Sequence, residues 1–138
     1  MDQVNSCYND RKYMYIVSDI LENKKFLAIK ECKHHGINRL EHSMRVSYYS
    51  YKITKKLRLN YKETARGSLL HDFFKKEDLN IKKQKLCFAL HPYLSLENAC
   101  NNFDLSALEK DIICIEKGCC PNCSIPVFFR YLHHSLTR

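Results

Sequence analysis

The stretch Ala65-Arg66-Gly67-Ser68-Leu69-Leu70-His71-Asp72 ends an apolar run with an imidazole and a carboxylate side by side. A second histidine, His42, is followed by Val46, Tyr49 and Ile53 at steps of four, three and four, the spacing of one helix face. An ionised carboxylate near a core needs a partner, and a cation is one. The pattern therefore predicts two helices that bring His42, His71 and Asp72 together around a divalent metal.

The remainder of the sequence predicts an all-α fold, a bundle of about five to six helices. The chain has only three glycines and three prolines, and its apolar residues recur at helical spacing. Asn60 with Glu63, and Ser106 with Glu109, resemble capping boxes at helix starts. A polar, lysine-rich loop is expected over residues 75–85. The predicted helices cover residues 12–21, 24–32, 38–57, 60–71, 92–101 and 106–116.

Length and charge restrict the classes of partner. At 138 residues, one domain is expected to bury a sufficient core without disulfides. The net charge of +8 favours anionic partners such as phosphorylated small molecules or nucleic acid, although the lysines are scattered as on solvated helix faces. There is no apolar run of about 18 residues and no secretory signal, so we expect no membrane partner, reduced thiols and a cytoplasmic location.

Two motifs together resemble the HD-domain metal-dependent phosphohydrolases, in particular small bacterial members of that superfamily. They are Arg39-Leu-Glu-His42-Ser-Met-Arg-Val46 and the stretch 65–72 quoted above, and the similarity covers about residues 34–113. It extends to His34-His35-Gly36-Ile37, to residues 47–51 and 69–74, and to His91-Pro92.

The resemblance implies an HD-domain-like helical bundle and one divalent metal cation (Mn, Fe, Co, Ni, Zn or Mg). His42, His71 and Asp72 would be three of its ligands, and a later aspartate the fourth. The implied activity is hydrolysis of a nucleotide or another phosphate ester by metal-activated water.

Further site residues are candidates for binding the substrate. Arg39 lies one turn before His42, where it could contact a phosphate or anchor the metal-site carboxylate, and we group it with Asp72 as catalytic. His91 could line the pocket, or simply be a helix-start histidine before Pro92. Arg45, Arg66 and Lys75 could face substrate, or be surface or ion-pair residues.

The C-terminal part departs from the family pattern. After Asp111 the sequence has no aspartate, so the usual fourth ligand is missing. We expect an HD-like domain over residues 1–115 and an atypical Cys-rich tail over residues 116–138. The tail could be a truncated or frame-shifted end, a zinc module or an inert extension. The candidate zinc ligands would be Cys120, Cys123, His133 and His134.

Three functions follow from these patterns. The first is a metal-dependent phosphohydrolase with His42, His71 and Asp72 as ligands. The second is a degenerate HD domain that binds a nucleotide or partner without catalysis, because the last ligand is absent. The third, a nucleic-acid binder, is the least favoured, because no stripe of lysines interleaved with aromatic residues is present.

Overall fold

Helices form most of the chain in the computed structural model, which describes residues 2–34, 37–75 and 87–114. The predicted all-α bundle is confirmed. Residues 33–34 and 37–38 form a very short antiparallel ladder, β1 (Lys33–His34) with β2 (Ile37–Asn38). The helices are α1 (Asp2–Asn9), α2 (Arg11–Leu21), α3 (Lys24–Leu27), a 3-10 turn (Ala28–Glu31), α4 (Arg39–Lys56), α5 (Tyr61–Leu69), α6 (Cys87–Asn102) and α7 (Ala107–Ile113).

Several helix boundaries differ from the prediction. Helix α1 was not predicted, and the segment expected as one helix over 24–32 divides into α3 and the 3-10 turn. Helix α6 begins at Cys87, before Pro92, so the expected start at the proline was wrong. Asn60 makes no capping hydrogen bond through its side chain, which also contradicts the prediction. The Ser106 capping box is confirmed, since its hydroxyl accepts from the backbone N–H of Glu109 at 3.2 Å.

The buried face of α4 carries more polar residues than the spacing of its apolar residues predicted. Val46 is buried, but Tyr49 and Ile53 are only half-buried, and small hydroxyl residues occupy much of the buried side. The Tyr13 hydroxyl donates to Ser47 Oγ at 2.8 Å, and Ser47 Oγ donates to the Ala65 carbonyl at 2.6 Å. This chain of hydrogen bonds joins α2, α4 and α5, and it satisfies polar groups that would be costly to bury alone.

Helix α5 is also held from its other sides. The Arg66 guanidinium donates to Asp19 at 2.9 Å and to Glu109 at 3.1 Å, which ties α5 to α2 and α7. Burial alone would lower the pKa of Arg66, but these carboxylates raise it. Arg66 is therefore a structural ion-pair residue, and the suggestion that it faces substrate is not supported. Helix α7 approaches α5 closely at Gly67.

In the described part of the chain, no helix combines the length and the apolar character needed to cross a membrane.

Candidate metal site

Two elements position the three candidate ligands. His42 lies in the first turns of α4, whose start is capped by Asn38: the side-chain oxygen accepts from the Glu41 backbone N–H at 2.8 Å. His71 and Asp72 lie in the turn that follows α5, beyond its last residue, Leu69, although the sequence predicted a helix through His71. The turn brings the His-Asp pair against the beginning of α4.

The three side chains are buried and close together. The exposed fractions are 3% for His42, 7% for His71 and 5% for Asp72. Asp72 Oδ2 lies 3.4 Å from His71 Nε2 and 3.7 Å from His42 Nε2. One ligand atom from each residue lies within 4.8 Å of the other two. The structure thus brings together the three residues that the sequence singled out.

These separations suit donor atoms that share one cation. Metal–donor bonds of about 2.1 Å in tetrahedral or octahedral geometry place neighbouring donors about 3.0–3.4 Å apart. The His71–Asp72 separation of 3.4 Å falls in this range, and the His42–Asp72 separation of 3.7 Å exceeds it slightly. Two imidazoles and a carboxylate are donors that Zn, Mn and Fe accept. The donor set therefore suits a metal, and binding would draw the three ligand atoms, which lie within 4.8 Å of one another, inward.

A backbone contact fixes the tautomer and orientation of the His71 ring. Its Nδ1 lies 2.6 Å from the Ser68 carbonyl oxygen. A carbonyl oxygen only accepts, so Nδ1 carries the hydrogen, and the lone pair of the neutral ring is on Nε2, the nitrogen nearest Asp72. Metal-binding histidines commonly use such a backbone contact to fix their orientation. Residue types alone could not predict this contact, because its acceptor is a backbone atom.

Arg39 contacts the chain directly after the His-Asp pair. Its guanidinium donates to the Phe74 carbonyl and stacks over the Phe74 ring, 4.0 Å from the ring centre. The side chain is buried, and among the described residues its Nε has no hydrogen-bond partner. Arg39 thus anchors the segment that includes Asp72 through the backbone rather than through the carboxylate.

Asn98 of α6, which is not among the predicted site residues, contacts the same segment. Its side-chain amide donates to the Phe73 carbonyl at 2.9 Å. The Phe73 ring is buried against Phe26, with ring centres 5.5 Å apart. The two carbonyls after Asp72 are therefore bound by side chains from α4 and α6. An asparagine in a helix gives no pattern from which this role could be predicted.

The other residues predicted to bind substrate are not part of the three-residue cluster. Arg45 donates to Glu41 at 3.1 Å within α4, so its charge is engaged in a partly exposed ion pair. Lys75 is half-buried and borders a cavity beside Phe73 and Phe74. The side chain of His91 lies outside the described part of the structure, as do most of the predicted loop over residues 75–85 and residues 115–138.

The structure brings three candidate ligands together among the residues it describes. His42, His71 and Asp72 form the cluster, and Asp111 on α7 is not part of it. The candidate zinc ligands Cys120, Cys123, His133 and His134 belong to residues 115–138, outside the described range. The later aspartate that the sequence resemblance implies as a fourth ligand thus has no counterpart in this cluster among the described residues.

Comparison of the chain with protein-family models, curated proteins and solved structures gave no match. The candidate function therefore depends on the residues and geometry described above.

Proposed function

We propose that the chain is a metal-dependent phosphohydrolase of the HD type that acts on a nucleotide or another phosphate ester. The observation that supports this proposal is the buried cluster of His42, His71 and Asp72, with ligand atoms within 4.8 Å of one another. Two neutral imidazoles and one carboxylate leave a bound divalent cation with net positive charge, which favours a phosphate ligand.

A divalent metal held by these residues would make water more acidic and would polarise a phosphoryl oxygen. The protein residues would orient the reactants. The Ser68 carbonyl keeps the His71 ring turned with Nε2 toward Asp72. We assign the Nε–H of Arg39 as a donor to the phosphate, because the described residues offer it no other hydrogen-bond partner.

The test is metal analysis of the purified chain together with hydrolysis of p-nitrophenyl phosphate and nucleoside monophosphates. Activity should be lost on chelation and restored by one of the divalent cations. Asp72→Asn retains the shape of the side chain but removes its charge, so it should abolish both stoichiometric metal and hydrolysis. Asp104→Asn, at an exposed position, is the matched control and should change neither. Unchanged turnover in the Asp72 variant would refute the proposal.

A second function is favoured by the number of ligands. Three protein ligands, without the family's later aspartate, would hold a metal more weakly, and a degenerate HD domain could bind a nucleotide or partner without hydrolysing it. The same metal analysis separates the two proposals. A purified chain without Mn, Fe, Co, Ni or Zn near neutral pH, which Mn²⁺ or Mg²⁺ also fails to activate, supports binding without catalysis.

A further inference from the structure

We propose that an exposed surface formed by α2, α4 and the first residue of α5 binds single-stranded nucleic acid. We call it the tyrosine–lysine surface and define it by Lys12 of α2, by Tyr48, Lys52 and Lys55 of α4, and by Tyr61 of α5. The three lysines are exposed and the two tyrosines are partly exposed. Nucleic-acid binding was the least favoured function from the sequence, because no segment is a stripe of lysines interleaved with aromatic residues. The fold assembles such a surface from three helices.

Contacts between aromatic rings join the residues into one surface. The Tyr48 and Tyr61 rings both pack against the buried ring of Tyr51, with ring centres 6.0 Å and 5.8 Å from it. Each of the three rings has one lysine ammonium over it, at a distance from the ring centre of 4.9 Å for Lys12 over Tyr61, 5.5 Å for Lys52 over Tyr48 and 5.3 Å for Lys55 over Tyr51. Rings and ammonium groups are therefore side by side across the three helices.

The positive charges are concentrated around Tyr61. A hydrogen bond with Lys12, together with the nearby charges of Lys62 and Lys55, lowers the pKa of the Tyr61 hydroxyl. These lysines belong to α2, α5 and α4, and all three are exposed. Several ammonium groups from separate helices thus face one position, which favours the closely spaced negative charges of a phosphate backbone.

The carboxylates near the surface are engaged within the protein. Asp10 accepts from the Tyr48 hydroxyl at 3.3 Å and from the Tyr13 backbone N–H at 3.0 Å. Asp19, farther along α2, pairs with Arg66. Within residues 2–34, 37–75 and 87–114, the ion pairs involve none of the three lysines that define the surface. Their charges can therefore contact phosphates.

The two partly exposed rings favour a single strand over a duplex or a lipid surface. Bases of a single strand stack on aromatic side chains while lysines contact its phosphates. Cation–π contacts at exposed sites are weak, so an ammonium group can move from its ring to a phosphate and leave the ring face open to a base. The bases of a duplex are already stacked on one another, and a lipid headgroup provides charge without a base.

The tyrosine–lysine surface lies apart from the candidate metal site. Lys52 follows His42 by ten positions in α4, which is about 15 Å along the helix axis. None of the residues that define the surface is a candidate metal ligand. Binding is therefore expected without metal, so failure of binding leaves the hydrolysis proposal intact, and absence of hydrolysis leaves the binding proposal intact.

The test is a fluorescence anisotropy titration of a labelled oligothymidylate of about 12 nucleotides with the chelator-treated protein. We expect saturable binding, with a plot of the logarithm of the association constant against the logarithm of salt concentration that has a slope of about −2 or steeper. Each phosphate neutralised on a single strand contributes about −0.7 to this slope, and three lysines contribute about −2. No saturable binding at low salt would overturn the proposal.

The triple variant Lys12→Gln/Lys52→Gln/Lys55→Gln should weaken binding at least about tenfold at low salt and make the slope about 2 less steep. The matched control is Lys24→Gln/Lys30→Gln/Lys110→Gln, which removes the same charge from three exposed lysines outside the surface. The control should bind within about twofold of the unmodified protein, since distant exposed charges are screened. Thermal unfolding midpoints verify that both variants are folded, and equal weakening in both would overturn the proposal.

A tyrosine variant tests stacking separately from charge. Tyr61→Leu keeps an apolar side chain but removes the ring, so it should weaken binding of the oligothymidylate about fivefold while the salt slope stays nearly the same. An unchanged affinity would overturn the assignment of Tyr61 as a stacking platform. A duplex of the same length should bind more weakly than the single strand. Equal or tighter binding of the duplex would overturn the proposal, as would binding to phosphatidylserine vesicles in place of the oligonucleotide.

Discussion

Replacing Gly67 by alanine tests how closely α5, which leads into the His-Asp turn, packs against α7. Inside an unconstrained helix this change stabilises by about 0.5–1 kcal/mol. Here the added Cβ would lie 2.8 Å from Ile112 Cβ, 2.9 Å from Ile112 Cγ2 and 3.1 Å from the Glu109 carbonyl oxygen. Carbon atoms normally pack at about 3.5–4.0 Å, so α7 must move outward by about 0.7 Å or more.

Overpacking of this kind costs about 1–3 kcal/mol, which exceeds the gain in helix propensity. We therefore expect Gly67→Ala to lower the free energy of unfolding by about 1 kcal/mol. Urea unfolding followed by circular dichroism measures the change in the free energy of unfolding. If the slope of this free energy against urea concentration is the same in both proteins, the two-state transition is retained. The sign of the effect is the decisive result, because propensity and packing predict opposite signs.

A double-mutant cycle identifies the contact responsible. Ile112→Ala removes Cγ2, one of the two nearest atoms, so Gly67→Ala should cost less in that background than in the unmodified protein. Lys62→Ala, at an exposed position of α5, controls for the general effect of alanine in this helix. If Gly67→Ala stabilises the protein in both backgrounds, the close approach of α5 and α7 is refuted.

Two further predictions concern the hydrogen bonds around α4. Tyr13→Phe loses the hydrogen bond to Ser47, so it should lower the free energy of unfolding by about 1 kcal/mol at pH 7. Burial raises the pKa of Tyr13 above its ordinary value of 10.0, so the unmodified protein should lose stability as the pH rises above 10. The difference in free energy of unfolding between the unmodified protein and the Tyr13→Phe variant should therefore become smaller in unfolding experiments at alkaline pH. Arg39→Met loses the hydrogen bond to the Phe74 carbonyl. We expect this variant to bind the metal up to about tenfold more weakly in a competition titration. An unchanged metal affinity would show that this hydrogen bond does not position Asp72.

Periodicity predicted the fold class, because most segments between polar turns repeat at helical spacing. It did not predict the inward face of α4 correctly, since Ser47 is buried there through hydrogen bonds to Tyr13 and Ala65. A serine has no hydrophobic signal, and its partners come from two other helices. The helix start predicted at Pro92 was also wrong. Proline is common in the first turn of a helix, but Pro92 lies inside α6, which begins at Cys87.

The three candidate ligands could be predicted from the sequence, but the contacts that position them could not. His42, His71 and Asp72 were identified by residue type and by resemblance to a family pattern, and the structure brings them together. Arg39 was predicted near the site, but its hydrogen bond is to a backbone carbonyl rather than to Asp72.

The position of Asp72 beyond the end of α5 has a consequence for the site. A residue inside a helix is held by the helix itself, whereas Asp72 lies in a turn whose following carbonyls, those of Phe73 and Phe74, are bound by side chains of Asn98 and Arg39. A metal site requires its donors to be held within about 0.5 Å of their geometry. The separation between Asp72 and His42 therefore depends on the placement of α6 as well as on α4. If the proposed metal binds there, we expect substitutions on α6 to change its affinity although α6 contributes none of the three candidate ligands.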